Sequence, residues 1–331
     1  MDAQSSTPVS SSPQFETEHQ RRIHEKLKRE LGPLICGLLE DKRVVEIMLN
    51  PDGKIWVERL GDKMEHVGDM RPSQAMSMMG TIASHLDTSV TIDRPILECE
   101  LPLDGSRFEG LVPPVVSAPT FTIRKKAVQI FTLDQYVEHG IMTAAQRDII
   151  QNAVVARKNI LVVGGTGSGK TTLTNAIIEF TSKASPDDRL VIIEDTNELQ
   201  CSAKNAVILR AVDHVDMTRL LKATMRLRPD RISVGEVRDS SALALLKAWN
   251  TGHPGGVATV HANSSEAGLI RLEQLIAEAT QAPMPALIAE AVDVIVFITK
   301  EGPAGRIIKE IVSVVGHDGT AYQTQHIASS N

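Results

Sequence analysis

The sequence predicts an α/β protein with two domains, an N-terminal α+β domain and a C-terminal domain built on a mostly parallel sheet. Its 331 residues are enough for two domains, at roughly 100–200 residues each. Predicted helices and strands follow one another in mixed order as far as residue 124, and further along the chain they alternate regularly. Alternation favours parallel strands with helices on both faces of the sheet.

The composition of the chain suggests where these domains begin and end. Residues 1–17 are rich in Ser, Pro, Thr and Gln. We expect a disordered tail there, because so little apolar surface cannot offset chain entropy. We assign residues 18–124 to the N-terminal α+β domain, 125–132 to a linker, and 133–331 to the second domain.

The N-terminal domain begins with a predicted amphipathic helix from Glu18 to about Glu40, where apolar residues recur at three- and four-residue spacing. Its polar face mixes basic and acidic residues, as solvated faces usually do, although a basic amphipathic helix can also lie on a membrane. We also predict a helix over 73–86, a strand over 121–124, and two hairpins that turn at 51–53 and 104–105.

The second domain is predicted to alternate between helices and strands. The predicted helices cover residues 143–156, 169–181, 216–226, 239–250 and 264–278. The predicted strands cover residues 159–163, 190–193, 206–209, 231–234, 257–260, 292–299 and 306–315.

The composition excludes several classes of protein. A net charge of −6 and only two Trp, two Tyr and six Phe disfavour nucleic-acid binding, which relies on basic surfaces and stacking aromatics. Three scattered cysteines fit a reducing cytosol and cannot form a four-cysteine zinc site in one chain. The sequence shows neither a long apolar run nor a signal-peptide pattern. We therefore expect a cytoplasmic protein without specific nucleic-acid binding.

A glycine-rich segment carries the strongest motif of the chain. Residues 164–171 match the pattern G-x-x-x-x-G-K-[ST] between a predicted strand and a predicted helix. Glycines let several backbone N–H groups converge on an anion, and the helix N-terminus adds positive potential. The lysine suits the β- and γ-phosphates of ATP, and the Thr171 hydroxyl suits Mg²⁺. The nucleotide-binding candidates are Gly164, Gly165, Thr166, Gly167, Ser168, Gly169, Lys170, Thr171 and Thr172.

Two acidic segments follow predicted strands, where an open α/β sheet places its ligands. Glu236 ends one strand, and we expect it to approach Mg²⁺ through water, as a second metal-site residue beside Thr171. Glu194 ends another and could orient or deprotonate the attacking water, with Glu198 as the substitute candidate. A helix N-cap or a surface charge is the simpler interpretation of either residue.

Four segments in this order resemble the secretion-superfamily ATPases of type II and type IV secretion and of type IV pili. They read GGTGSGKTT, VIIEDTNEL, LRPDRISVGEVRD and TGHPGGVATVHANSSEAGLIRLEQL. The TGHPGG and TVHANS wording and the lack of a cysteine cluster are most similar to the type IV secretion branch, in particular to conjugal-transfer ATPases. The resemblance implies a RecA-like fold for the P-loop domain, ATP and Mg²⁺ as cofactors, and a homohexamer. It also implies peripheral attachment at the inner membrane and inner-membrane components of a secretion or conjugation system as partners.

The resemblance also implies roles for further residues. His261 would contact or sense the γ-phosphate region, and Arg107 and Arg124 would close over the phosphates from the N-terminal domain. Arg226 and Arg228 are candidates for an arginine finger, which could reach a neighbouring subunit, and the sequence does not decide between them. Simpler alternatives are a structural histidine at a strand end and ordinary surface arginines.

Three other functions remain open at this point. A type IV pilus or type II secretion motor would use the same chemistry. A helicase or packaging motor is disfavoured by the acidic net charge. A nucleotide-gated assembly scaffold would bind ATP with little turnover, and intact Glu194 and Glu236 argue against it.

Overall fold

The computed structural model describes residues 18–59, 62–126, 130–212, 214–301 and 305–329. The predicted disordered tail and residues 127–129 of the predicted linker lie outside these ranges. The chain divides into two compact units, one ending at Lys126 and the other following it. Within the described residues, no helix combines the length and apolar character needed to cross a membrane.

The N-terminal unit is a six-stranded antiparallel sheet with two helices on one face. Its strand order is β3-β2-β1-β6-β5-β4. Helix α1 carries a kink at Gly32, whose φ is 79°, because Pro33 cannot donate the helical hydrogen bond and glycine tolerates this conformation. The elements are α1 Glu18–Glu40, β1 Val44–Leu49, β2 Lys54–Arg59, β3 Glu65–Asp69, α2 Pro72–His85, β4 Ile96–Glu100, β5 Arg107–Leu111 and β6 Thr120–Arg124.

The second unit contains an eight-stranded sheet in the order β14-β13-β12-β7-β11-β10-β8-β9. Strands β12, β7, β11, β10, β8 and β9 are mutually parallel, and β13 and β14 are antiparallel to their neighbours. The strands are β7 Ile160–Gly164, β8 Leu190–Glu194, β9 Ala206–Arg210, β10 Arg231–Val234, β11 Val257–His261, β12 Val294–Thr299, β13 Ile307–His317 and β14 Tyr322–Ser329. The helices are α3 Leu133–Glu138, α4 Ala144–Val155, α5 Lys170–Ala184, α6 Met217–Thr224, α7 Ser241–Asn250, α8 Ser265–Ala277 and α9 Pro285–Ala291.

Apolar side chains alternate between the two faces of this sheet and form two cores. Leu161 and Val163 of β7 pack with helices such as α7 and α8 on one face. Ile160 and Val162 pack with α4 and α5 on the other. Both faces are covered, so β7, β8 and β10 are buried throughout, and β7 and β8 are nearly continuous apolar runs. The α/β class and the mostly parallel sheet predicted from the sequence are confirmed.

Three elements of this unit were not predicted. Helix α3 has only six residues and α9 only seven, too few for a clear helical period. Strand β14 exposes most of its side chains, so it lacks the apolar alternation that identifies a strand.

The parallel strands place the glycine-rich loop and the predicted acidic residues at one edge of the sheet, which we call the carboxyl edge. The opposite edge, where these strands begin, is the amino edge.

Candidate active site

The glycine-rich loop joins the end of β7 to the start of α5 at the carboxyl edge. Gly167 has a φ of 67° and Gly169 a φ of 100°. Both values fall in the left-handed region, where glycine is favoured because it has no Cβ. This backbone permits successive N–H groups to face one anion at the N-terminus of a helix.

Lys170 is folded back on the loop. Its side chain is largely buried, at 7% exposure. The ammonium group donates to the carbonyl oxygens of Gly164 and Gly165 at 3.0 and 3.1 Å, and it lies 3.1 Å from Nδ1 of His261. An ammonium ion can only donate. The two loop carbonyls are neutral acceptors, which a phosphate could replace with a charged one.

His261 links this lysine to Glu236. The imidazole Nε2 lies 2.7 Å from Oε1 of Glu236. The Lys170 ammonium also lies 3.3 Å from Nε2, so both ring nitrogens are within its reach, and a proton on Nε2 would be donated to the carboxylate. Strand β11, which ends at His261, lies between β7 and β10. The sheet thus brings Lys170, His261 and Glu236 together.

Glu194 ends β8, beside β10, and is 1% exposed. Its Oε2 accepts from the N–H groups of Glu198 and Leu199 at 2.7 and 2.9 Å. Its Oε1 is buried and has no hydrogen-bond partner among the described residues. Burial raises the pKa of this carboxyl group, while the two N–H donors oppose the shift.

Glu198 lies half-buried on the turn that follows β8, and its charge also raises the pKa of Glu194. The two candidate bases are therefore neighbours, and Glu194 is the one whose carboxylate is fixed by backbone donors. A fixed, desolvated carboxylate with a raised pKa is the form expected of a general base.

The oxygen ligands available near the loop suit Mg²⁺. Thr171 and Thr172 lie half-buried in the first turn of α5, Thr166 is exposed on the loop, and the Ser168 hydroxyl is buried with no partner in the described chain. A hydroxyl from Thr171 and a carboxylate from Glu236 are hard donors, and Mg²⁺ normally combines one or two such ligands with phosphates and water.

Arg226 and Arg228 lie at the amino edge. Arg189, directly before β8, donates to the carbonyl oxygen of Leu227 at 2.8 Å, and its own carbonyl accepts from Asp230 at 2.9 Å. Residues 225–230 directly precede β10, and Arg189 directly precedes the parallel strand β8. Both segments therefore lie at the amino edge, whereas Lys170 lies at the carboxyl edge. The two exposed arginines are therefore not brought to this site within one chain.

Arg107 and Arg124 belong to the N-terminal unit. They are register partners in the antiparallel pair of β5 and β6, so both side chains lie on the same face. Nε of Arg124 also lies 3.7 Å from Oε1 of Glu46 on β1.

Three basic residues at the carboxyl edge were missed by reasoning from sequence. Lys300 follows β12, and a Cβ atom added to Gly167 would lie 2.8 Å from its Nζ. Arg306 precedes β13, and a Cβ on Gly169 would lie 3.3 Å from its Cδ. Arg210 ends β9 opposite Glu194, and its charge lowers the pKa of that carboxyl group. For Lys300 and Arg306, the sequence signal was a basic residue directly after β12 and another directly before β13.

A parallel sheet covered on both faces, with a glycine loop and an inward lysine between β7 and α5, defines a P-loop nucleotide-binding protein. The chain belongs to the family of type II/IV secretion system proteins, whose profile matches residues 28–322. This confirms the resemblance seen in the four motifs.

Individual relatives point to the type IV branch. The conjugal transfer protein TrbB of Rhizobium radiobacter is 54% identical over 93% of this chain and 95% of its own length. The type IV secretion system protein VirB11 of Bartonella quintana is 30% identical, over 74% of this chain and 79% of its own. A crystal structure of the pilus retraction motor PilT with bound ADP has a TM-score of 0.59 at 17% identity, covering 90% of this chain and 82% of PilT. At that identity, PilT supports the fold alone.

Proposed function

We propose that this chain is a Mg²⁺-dependent ATPase that couples ATP hydrolysis to a conjugative type IV secretion apparatus. The observation that carries the proposal is the convergence of Lys170, His261 and Glu236 beside the glycine loop, in a chain 54% identical to a conjugal transfer protein. The relatives favour conjugation over a pilus or type II secretion motor.

The loop lysine would bind the β- and γ-phosphates. A phosphate oxygen is a charged acceptor and forms a stronger bond than the two loop carbonyls that now hold Lys170. When Lys170 turns toward phosphate, His261 loses its contact with the ammonium, while Nε2 stays bonded to Glu236. His261 is thereby placed to report phosphate occupancy to the acidic residue beside it.

Thr171 and Glu236 would hold the metal site, with Glu236 acting through water. The bound Mg²⁺ would neutralise charge that develops on the phosphate oxygens. Glu194, or Glu198 in its place, would take the proton of the attacking water. Glu194 is the stronger candidate because its carboxylate is oriented by two N–H donors and its second oxygen is unpartnered within the described chain.

Arg107 and Arg124 would complete phosphate binding from the N-terminal domain. Two arginines directly opposite each other on adjacent strands repel, and a bound polyphosphate would relieve that repulsion. Arginine suits this role because its planar guanidinium binds phosphate oxygens in pairs. Arg107→Ala should lower kcat/KM for ATP, and an unchanged value would remove this residue from the site.

The position of Arg226 and Arg228 favours a shared active site. Since neither can reach Lys170 in its own chain, an arginine finger would have to enter from a neighbouring subunit, in a closed ring of six. Such a finger contributes about 10³–10⁵ in turnover. The ring would sit in the cytoplasm at the inner membrane, against membrane components of the apparatus.

The first test is steady-state ATPase activity against protein concentration, with and without Mg²⁺, and with molecular mass from light scattering on the same samples. We expect specific activity to rise as a hexamer-sized species forms, and to vanish when EDTA removes the metal. A monomer with constant activity would overturn the ring and the finger together.

Mixing inactive variants tests the shared site directly. Glu194→Gln and Arg226→Ala, or Glu194→Gln and Arg228→Ala, should recover about a quarter of the sites when mixed equally in a randomly assembled ring. Exposed Arg219 on α6 supplies the control, since Arg219→Ala should be fully active alone. Absence of recovery for both pairs would exclude these arginines.

A further inference from the structure

Asn175 lies on α5, the helix that begins at Lys170, and its side chain is 1% exposed. Both ends of its amide bond to the turn that follows β8. Nδ2 donates to the carbonyl oxygen of Glu198 at 3.0 Å, and Oδ1 accepts from the N–H of Gln200 at 2.9 Å. A buried amide is costly unless it is satisfied, and this one is satisfied by a single turn of chain.

The same turn orients the carboxylate of Glu194. The N–H groups of Glu198 and Leu199 donate to Oε2 of Glu194 at 2.7 and 2.9 Å. Residue Asn197 in this turn has a φ of 49°, an uncommon conformation for a residue other than glycine. Surrounding contacts must hold such a backbone in place, and the amide of Asn175 makes two of them.

We propose that Asn175 is a positioning residue that sets the carboxylate of Glu194 by clamping residues 198–200 to the P-loop helix. The inference rests on the proposed function, in which Glu194 acts on the attacking water.

This clamp would link phosphate binding at Lys170 and the orientation of Glu194 to the same helix, α5. Asn175 is five residues beyond Lys170, about 7.5 Å along a helix at 1.5 Å per residue. A shift of α5 when phosphate binds at its N-terminus would therefore move the turn and Glu194 with it. Hydrolysis would respond to occupancy of the loop without a direct contact between the phosphate and the turn.

The test uses Asn175→Ala and Asn175→Asp in the full-length chain. Ala removes both bonds, whereas Asp keeps the acceptor for Gln200 and loses the donor to Glu198. Thr174→Val is the matched control, because Thr174 is the buried neighbour on the same helix and its hydroxyl has no partner in the described part of the chain.

We expect kcat to fall about 10²-fold in Asn175→Ala, the cost of misplacing a catalytic group by about 1 Å, with a smaller fall in Asn175→Asp. KM and the affinity for ADP should stay within about twofold, because the glycine loop is untouched. Hydrogen–deuterium exchange should show faster exchange at Glu198, Leu199 and Gln200 in Asn175→Ala. Thr174→Val should retain wild-type kcat and exchange.

Loss of ADP affinity in parallel with kcat would reduce Asn175 to a packing residue of α5 and overturn the clamp. Unchanged kcat in folded Asn175→Ala would do the same. Glu194→Gln separates the two proposals. If Glu194→Gln is inactive while Asn175→Ala is fully active, only the clamp fails. If Glu194→Gln keeps full turnover, the role of Glu194 in the proposed function fails, and the clamp fails with it.

Discussion

The two edges of the eight-stranded sheet use buried polar residues in opposite ways. At the amino edge, Arg231 is 2% exposed and its guanidinium donates to Asp188, Ser185 and the carbonyl oxygens of Val154 and Gly255, at 2.7 to 3.2 Å. This one side chain thereby ties the start of β10 to the end of α4, to the α5–β8 connection and to the α7–β11 connection.

A second buried residue completes this edge. The side chain of Asn159 donates to the carbonyl oxygen of Ala291 and accepts from the N–H groups of Gly255 and Gly256. A Cβ on Gly256 would lie 1.8 Å from the carbonyl oxygen of Ile232, so the glycine pair of the TGHPGG segment is needed for close packing here. That segment therefore serves the fold, while His261, at the other end of β11, lies at the candidate site.

The carboxyl edge leaves polar groups partly unmatched. Oε1 of Glu194 and the hydroxyl of Ser168 are buried without partners in the described residues, and Lys170 is held by carbonyls. Buried groups of this kind cost stability. Nδ1 of His253 is also buried without a partner in the described residues at the amino edge, but Arg231 and Asn159 are satisfied there. We therefore infer that the amino edge mainly holds the sheet together, whereas the carboxyl edge keeps bonding capacity for a ligand, as functional sites commonly do.

The largest effect is expected at the carboxyl edge, from Lys170→Ala. Removal of the loop ammonium leaves phosphate charge unneutralised, and we expect turnover to fall by about 10³ or more, as for other groups that stabilise transition-state charge. The fold should persist, because the hydrogen bonds of Lys170 join it to the loop and to His261 rather than to the cores of the sheet. Steady-state ATPase activity and circular dichroism measure the two properties, and wild-type turnover would refute the site.

At the amino edge, the largest effect should fall on stability. Arg231→Leu leaves Asp188 and two carbonyls without their buried donor, and we expect the free energy of unfolding to drop by about 3 kcal/mol or more, measured in urea. kcat and KM of the folded variant should match wild type at low temperature. Arg157→Leu is the control, since Arg157 pairs with the same Asp188 from an exposed position and should cost about 1 kcal/mol or less. Equal losses of unfolding free energy in the two variants would show that the burial of Arg231 does not account for its contribution to stability.

Glu194→Gln should separate stability from activity. We expect kcat to fall about 10²-fold or more with loss of the base, whereas thermal stability at pH 7 should be equal to or above wild type. The folded pKa of Glu194 lies above its ordinary value of 4.5, so ionised Glu194 opposes folding once pH exceeds that value. The stability gain of the variant should therefore shrink as pH falls toward 4.5. A lower Tm at pH 7 would show that Glu194 supports the fold, as Arg231 does.

The sequence predicted the features that are local in the chain. The parallel strands were recognisable because both faces are buried, and the glycine loop because its residues are consecutive. Lys170, Glu194, Glu236 and His261 were selected because each lies on the loop or at a strand end, and the parallel register then places them at one edge.

The residues that were missed depend on tertiary contacts. Lys300 reaches Gly167 because β12 pairs with β7 in the register Phe297 to Val163, which no local pattern specifies. In the sequence, Asn175 is one of several polar residues on α5, and only its tertiary contact with the turn after β8 distinguishes it. The amino-edge position of Arg226 and Arg228 likewise follows only from strand direction.

The smallest effect is expected from Lys300→Ala, and it tests whether the carboxyl edge extends beyond the P-loop. Lys300 is exposed directly after β12 and lies beside Gly167, so its attraction for a bound polyphosphate is screened and worth about 1 kcal/mol or less. We expect affinity for ADP to fall about fivefold or less at low salt, and the difference to shrink as salt is raised. Lys183→Ala is the control, because Lys183 ends the same helix α5 at the amino edge and pairs with Glu179. If both variants lose affinity equally, the effect is one of net charge. A loss confined to Lys300→Ala would place Lys300, and with it the end of β12, within the nucleotide site.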